Sequence, residues 1–273
     1  MKYTVFGASG FIGSHVAELA TAGGHDVYCP ARNENVEKKN LGHVIYCIGM
    51  TADFRRKPHQ TIDAHVTRLQ QILRTGNFDT FTYLSSTRVY QHCCESTVNE
   101  ETPLAVRSQD PGDLYNLSKL LGESVLQSHC GEIRIARLSN VVGNDILSNN
   151  FLFSILRDCV HKGHVELQQT LDSEKDYISI SDVTSQLLRL GPEGSNGIYN
   201  LASGTNTTHR QLLDVVTELT GATVNVAQDA IPYSFPHINI NRMRREFQFH
   251  SRSVIEYLPA LVEQVRRSIK AAA

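Results

Sequence analysis

Tyr115 and Lys119 stand four residues apart in Asp113 to Gln127, a stretch whose apolar residues Leu114, Leu117, Leu121 and Val125 recur with helical spacing. On a helix such a pair shares one face. A phenol with a pKa near ~10 exchanges protons poorly at neutral pH unless a neighbouring cation favours the phenolate. Lys119 is spaced to be that cation, and the chemistry served is proton transfer to or from a hydroxyl or carbonyl oxygen. A second group of hydroxyls, Ser85, Ser86 and Thr87, closes the run Phe81 to Leu84. At the end of a strand they would face a ligand crevice, although serine and threonine also commonly end strands and begin turns. The third feature is Gly7, Gly10 and Gly13, at intervals of three between an apolar run and a helix carrying Val16, Leu19 and Ala20. A strand turning at once into a helix needs one glycine for positive φ and another where a phosphate approaches the backbone. Gly7 and Gly10 suit those roles, and Gly13 would let helix and strand pack closely. A tight turn without a ligand is the plainer alternative.

These residues need strands and helices in alternation to hold them. His25 to Pro30 reads as a second strand, after which a dinucleotide's adenosine ribose is expected. Ala31 and Arg32 follow it. A small residue and an arginine leave room and charge for a 2′-phosphate, favouring NADP over NAD, unless Arg32 is an ordinary surface arginine. Only ten residues, Asn33 to Gly42, precede the next apolar run, His43 to Ile48, too few for a strand-helix-strand crossover. A peripheral strand and helix are therefore omitted there, and Gly49, at the end of the run, would let a cofactor pass. Ile62 to Leu73 reads as a helix and Phe81 to Ser85 as a strand, giving a doubly wound parallel sheet with ligands at the carboxyl ends of its strands.

Composition narrows the classes of function. Charged residues make up 20% of the 273 and balance to a formal net charge of -2, so no basic field exists to attract nucleic acid or an anionic membrane. No apolar run reaches membrane-spanning length, and the N-terminus leads straight into the glycine turn, which sets a cytoplasmic expectation. The six cysteines show no recurring metal-ligand spacing and read as reduced thiols. His92, Cys93 and Cys94 lack a matching second pair, so no metal site is expected.

Taken together, Gly7-Ala-Ser-Gly-Phe-Ile-Gly13, Tyr83-Leu-Ser-Ser-Thr-Arg-Val-Tyr90, Tyr115-Asn-Leu-Ser-Lys119, Arg137-Leu-Ser-Asn-Val-Val-Gly143, Lys175-Asp-Tyr-Ile-Ser-Ile-Ser-Asp182 and Gly197-Ile-Tyr-Asn200 follow one known order. In that order the chain resembles the extended short-chain dehydrogenase/reductases, the superfamily of NAD-dependent nucleotide-sugar epimerases, dehydratases and ketoreductases. The resemblance implies a Rossmann domain over residues 1–143 and a smaller substrate lobe built mainly from 144–273, with segments returning to the sheet. It implies Ser86, Tyr115 and Lys119 as the catalytic set. Gly7, Ser9, Gly10, Phe11, Ile12, Gly13, Gly49, Tyr115 and Lys119 would contact the cofactor together with Arg32. Thr87, Arg88, Asn140, Asn150, Lys175 and Arg242 would meet a nucleotide-sugar substrate, and a homodimer is a further expectation. Asn149 and Asn150 lead a helix containing Phe151, Phe153 and Ile155, which Asn150 would also suit as cap. Asp182 is expected to cap the helix of Val183, Leu187 and Leu188, and Val254 to Ile269 to form the last helix. The chain departs from the family pattern at His65, where an asparagine is usual, and at Gln91, where a glycine is usual. Lys175 stands where arginine is common.

The dehydratases of this family carry an aspartate and a glutamate directly after the catalytic hydroxyl residue. Thr87 and Arg88 occupy those positions, which disfavours a 4,6-dehydratase. The expected function is an NADP-dependent keto-sugar reductase, with a nucleotide-sugar 4-epimerase that recycles its cofactor as the alternative. A catalytically silent cofactor-binding regulator is the alternative from another class.

Overall fold

The structure is a computed structural model that describes residues 1–272 apart from Ala52, Asn144, Leu147 and Asn149, with side chains through Ser268. The expected roles of Asn144 as the start of the lobe and of Asn149 beside a helix thus lie outside the described residues. In chain order the strands are β1 (Lys2–Phe6), β2 (Asp26–Tyr28), β3 (His43–Tyr46), β4 (Thr80–Ser86), β5 (Thr97–Val98), β6 (Ile133–Leu138), β7 (Asn140–Val142), β8 (His164–Gln169), β9 (Glu174–Ser179), β10 (Gly197–Leu201), β11 (Asn206–Thr208), β12 (Thr223–Ile231) and β13 (His237–Ile238). The helices are α1 (Phe11–Ala22), α2 (Pro58–Ile62), α3 (Arg68–Thr75), α4 (Leu114–Gln127), α5 (Phe151–His161), α6 (Ile180–Glu193), α7 (His209–Thr220), α8 (Asn241–Phe247) and α9 (Val254–Ala272). Among the described residues no helix is long and apolar enough to cross a membrane.

Six strands form one sheet in the order β10-β6-β4-β3-β1-β2, every neighbouring pair parallel. All six residues of β6 are buried, as a central parallel strand covered on both faces requires. One core, with Tyr3, Val5, Val16, Ala20, Val183 and Leu187, packs α1 and α6 against one face. Phe6, Tyr46, Leu69, Ile72, Phe81 and Leu126 form the core beneath α3 and α4 on the other. After β1 the chain runs to the edge strand β2 and returns to β3 on the opposite side of β1, so the order reverses at β1. Crevices at such reversals receive ligands. The short segment between β2 and β3 makes only turns and one isolated bridge, which leaves β2 as the edge. A third core, with Leu152, Phe153, Leu156, Val165, Leu212, Val216, Leu258 and Val262, holds α5, α7, α9 and β8 together.

Three elements differ from their sequence reading. The helix expected at Ile62 to Leu73 begins at Pro58 and contains a π-turn at Asp63–Thr67, whose extra residue turns His65 fully inward. Asp182 lies in the first turn of α6, and the cap is Ser179, whose Oγ accepts from the Asp182 N–H at 3.0 Å. The third difference reverses a face. The apolar spacing of α4 suggests that its leucines face the core, yet Leu121 is 50% exposed and Leu114, Leu117 and Val125 are half-buried. Tyr115, Asn116, Ser118, Lys119, Gly122, Glu123 and Leu126 are the buried side.

Polar partners inside the protein explain that reversal. Glu123 accepts from Arg137 Nε at 3.1 Å and Nη2 at 2.7 Å, and from Ser85 Oγ at 2.5 Å. Arg137 Nη1 donates to Tyr90 Oη at 2.8 Å, and Tyr90 donates to Asn200 Oδ1 at 2.8 Å, so one network joins α4 to β4, β6 and β10. Gly122 permits the approach, since a Cβ there would lie 2.6 Å from Tyr83 Oη. Glu123→Ala, which strands Arg137 as an uncompensated buried cation, is expected to cost about 3–5 kcal/mol of unfolding free energy. Leu121→Ala on the outer face should cost less than about 1 kcal/mol. Urea denaturation of the two variants measures the contrast, and equal losses would mean that α4 is held by its leucines.

Candidate active site

The glycine turn abuts the end of β3. Gly7 has φ +81°, and a Cβ there would stand 2.9 Å from Ile48 N and 3.0 Å from Cys47 C. Its carbonyl accepts from Gly10 N at 3.0 Å. A Cβ on Gly13 would approach that same carbonyl oxygen to 2.2 Å, so the close packing reserved for Gly13 is against the turn itself. Gly10 caps α1, but no side chain bonds the first N–H groups of the helix. Those donors and the helix dipole are left for an anion. Gly49 is a separate test of fit. Its φ is not positive, and a Cβ would meet only ordinary contacts, 3.6 Å from His65 Nε2 and 3.7 Å from Lys119 Nζ. Neither backbone strain nor packing demands glycine there, and the missing side chain leaves room for a cofactor to pass. Ser9 is exposed, Phe11 and Ile12 are half-buried, and Gly10, Phe11 and Ile12 line the cleft. The residues present fit a dinucleotide.

Beyond β2, Arg32 is exposed and makes no hydrogen bond or ion pair among the described residues. Sequence reading missed Glu34. Its carboxylate turns back to accept from Ala31 N at 2.9 Å, Tyr28 Oη at 2.5 Å and Lys39 Nζ at 2.7 Å, and these contacts lower its pKa to about 2. The signal was an acid four residues past the end of the expected strand rather than at it.

A cleft of about 730 Å³ opens at the carboxyl ends of the strands and is lined by Ser86, Thr87, Arg88, Tyr115 and Lys119. Ser86 caps a 3₁₀ turn at Thr87–Tyr90, its Oγ accepting from Arg88 N at 3.2 Å. Burial raises the Tyr115 pKa, and the neighbouring Ser86 and Thr51 hydroxyls and the charge of Arg88 offset part of that rise. Arg88 is thus a second cation beside the phenol, its guanidinium carbon 5.7 Å from the Tyr115 ring centroid, in addition to the Lys119 that the spacing on α4 supplies. Lys119 Nζ donates to the Leu84 carbonyl at 2.7 Å and lies 6.0 Å from the Tyr115 ring centroid. Its burial lowers its pKa to about 7 despite the opposing charge of Glu123. Thr51, two residues past Gly49, had no signal beyond its place at a strand end.

The remaining expected site residues divide. Asn140 lines the cleft and donates to the Asp176 carbonyl at 2.8 Å. Asn150 caps α5, accepting from Phe153 N at 2.9 Å, and also lines the cleft. Lys175 Nζ lies over the rings of Phe151 at 4.3 Å and Tyr233 at 5.2 Å, and burial lowers its pKa. Arg242 is elsewhere, which corrects its assignment to the substrate. Its guanidinium bonds the carbonyls of Ile198 and Asn196 and the carboxylate of Glu246, and stacks 3.8 Å from the Tyr199 ring centroid beside the first residues of β10. That is the amino end of the strand, away from the cleft. Tyr233, in a stretch without periodicity, enters the cleft unforeseen.

Residues 3–65 and 37–202 match the model of the NAD dependent epimerase/dehydratase family. The GDP-6-deoxy-D-mannose reductase of Pseudomonas aeruginosa is 28% identical over 255 residues, covering 82% of each chain. Among solved structures, that of RMD from Pseudomonas aeruginosa complexed with NADPH superposes with a TM-score of 0.79 at 19% identity, covering 98% of this chain and 99% of that one. UDP-glucose 4-epimerase from Thermotoga maritima with UDP-glucose gives 0.78 at 19% identity, covering 98% and 100%.

The lowered pKa of Lys119 has a measurable sign. Between about pH 7, where the folded amine titrates, and its ordinary value of 10.5, the unfolded chain binds the extra proton. Stability from this group therefore rises with pH across that window and is flat on either side of it. Lys119→Met removes the contribution. Its unfolding free energy relative to the unmutated protein should be most favourable at and below pH 7 and fall as pH approaches 10.5. Denaturation series from pH 6 to 10 measure this, and a difference independent of pH would place the amine in a solvated environment.

Proposed function

The chain belongs to the NAD dependent epimerase/dehydratase family and is an NAD(P)-dependent enzyme of the extended short-chain dehydrogenase/reductase type, and from that premise we propose that it reduces the keto group of a nucleotide-sugar with NADPH. The reading is carried by the cleft that Thr51, Ser86, Tyr115 and Lys119 line together, in which the two residues after Ser86, Thr87 and Arg88, offer no carboxylate. Tyr115 would give its proton to the oxygen of the reacting carbon, and Ser86 would hold that oxygen. Lys119 would hold the nicotinamide ribose and return charge to the phenol as its proton leaves. The cofactor, when bound against Gly10, Gly49 and the amino end of α1, supplies the hydride. Arg32, which has no partner among the described residues, supports the 2′-phosphate and so the reducing direction.

The division into a cofactor domain over 1–143 and a substrate lobe built mainly from 144–273 is part of this proposal. So are a cytoplasmic setting and a homodimer, which would cover the half-exposed Leu117, Leu120 and Val125 of α4. Lys175 and Asn150 would receive the diphosphate, with Asn140 and Thr87 nearer the sugar.

Turnover of NADPH with a panel of nucleotide keto-sugars tests the reaction. Net consumption of NADPH supports reduction, whereas interconversion of 4-epimers without net consumption would replace the proposal with epimerisation. Tyr115→Phe should slow single turnover by about 10²- to 10⁴-fold with little change in cofactor affinity. Unmutated rates in that variant would remove the tyrosine from the mechanism. Arg32→Asp should weaken NADPH by about one to two decades relative to NADH, the range of a charge-assisted contact. Fluorescence titration of both cofactors reads it, and an unchanged ratio would remove Arg32 from the phosphate.

A further inference from the structure

We propose that the sugar reduced at this site carries a carboxylate on a carbon beside the reacting one, as in a nucleotide-linked uronic acid, with Arg88 as its counter-charge. The inference rests on the reading of the cleft given above.

Arg88 follows Ser86 by two residues, and the bond from its own N–H to Ser86 Oγ fixes its backbone relative to the oxygen-holding hydroxyl. Its guanidinium carbon lies 5.7 Å from the Tyr115 ring centroid and 5.2 Å from that of Phe54. A guanidinium offers five N–H donors. Among the described residues this one uses a single bond, from Nη2 to the Gly112 carbonyl at 3.3 Å, and its buried Nε has no partner. It makes no ion pair. Asp113, the acid on the helix side, is already committed, accepting from Arg107 N at 2.7 Å, His92 Nε2 at 2.9 Å and Asn116 Nδ2 at 3.1 Å. Arg55 adds a second positive charge against Phe54, 4.5 Å from the same ring centroid, and it too lacks an ion pair among the described residues.

A cation partly withdrawn from water without an opposite charge is unfavourable unless a partner arrives. A planar two-oxygen acceptor matches the free terminal donors of a guanidinium. The diphosphate would have another pole in Lys175, which lies across Tyr233 in the cleft and likewise has no ion pair among the described residues. A sugar running from Lys175 to the Tyr115 hydroxyl brings the carbon next to its reacting centre to Arg88.

The test uses the full-length protein with NADPH bound and pairs of probes differing only at C6, UDP-glucose against UDP-glucuronic acid and GDP-mannose against GDP-mannuronic acid. Dissociation constants are measured by calorimetry for the unmutated protein and for Arg88→Gln, with UDP and GDP alone as controls. The expected result is that the uronate of at least one pair binds about ten- to a hundredfold more tightly than its neutral partner, and that Arg88→Gln brings this ratio near unity. The ratio in the unmutated protein is itself decisive if the variant does not fold. Equal affinities within both pairs, or a preference that survives Arg88→Gln, would overturn the inference. Loss of affinity for UDP or GDP alone as large as the loss for the uronate would assign Arg88 to the diphosphate and also overturn it. NADPH-dependent turnover of neutral keto-sugars without a uronate preference would leave the reductase standing and only this inference fallen. Failure of every nucleotide and nucleotide-sugar to bind would remove both.

Discussion

Glu123 and Arg137, each with its side chain 3% exposed, hold the site together by a two-pronged ion pair between α4 and β6. The pair leaves no spare acceptor facing an apolar wall, because Ser85 donates to the carboxylate from β4 and Tyr90 accepts from the guanidinium. Either charge alone at that depth would be strongly destabilising, so the helix has one rotation about its axis that satisfies both. That rotation faces Tyr115, Ser118 and Lys119 inward and leaves leucines outward. Tyr115 is positioned by electrostatics about two turns away along its own helix.

His65 extends the same logic to the loop after β3. Met50 N–H donates to its Nε2 at 3.1 Å, which makes Nδ1 the protonated nitrogen, donating to Ser118 Oγ at 2.8 Å. Ser118 donates in turn to the Tyr115 carbonyl at 2.9 Å. Burial, with the nearby Lys119, lowers the imidazole pKa to about 2, so the ring stays neutral and the chain of donors keeps one direction at any working pH. An imidazole spans two partners that point in opposite directions, and the π-turn gives it the reach to do so. The loop of Gly49 to Thr51 is thereby tied to the helix of Tyr115, the two walls between which a nicotinamide would sit.

One scaffold of this kind can serve reduction, epimerisation or dehydration, and the residues placed beside the reacting carbon decide among them. Here the two positions after Ser86 bring a hydroxyl and a guanidinium. Neither removes a proton from carbon at neutral pH, whereas both can hold oxygen atoms of a substrate. Directly after Ser86 the cleft is thus rich in donors, an arrangement that suits an oxygen-bearing, anionic molecule.

By itself the sequence determined the alternation of strands and helices, the parallel sheet and the convergence of Ser86, Tyr115 and Lys119 on one cleft, because these follow from local pattern and from a known order of motifs. Gly7, with φ +81°, is a local demand of the backbone and could be read from residue types alone. Tertiary structure decided which face of α4 is buried, since the partners of Glu123 and Ser118 lie in distant strands and a helical wheel counts only apolar residues. It decided that Arg88 joins Lys119 beside the Tyr115 ring, and that Arg242 is held at the amino end of β10 by carbonyls no spacing rule could supply. Local pattern fixes what depends on neighbours in the chain. Charge, burial and the choice of partner depend on neighbours in space, and only the folded chain brings those together.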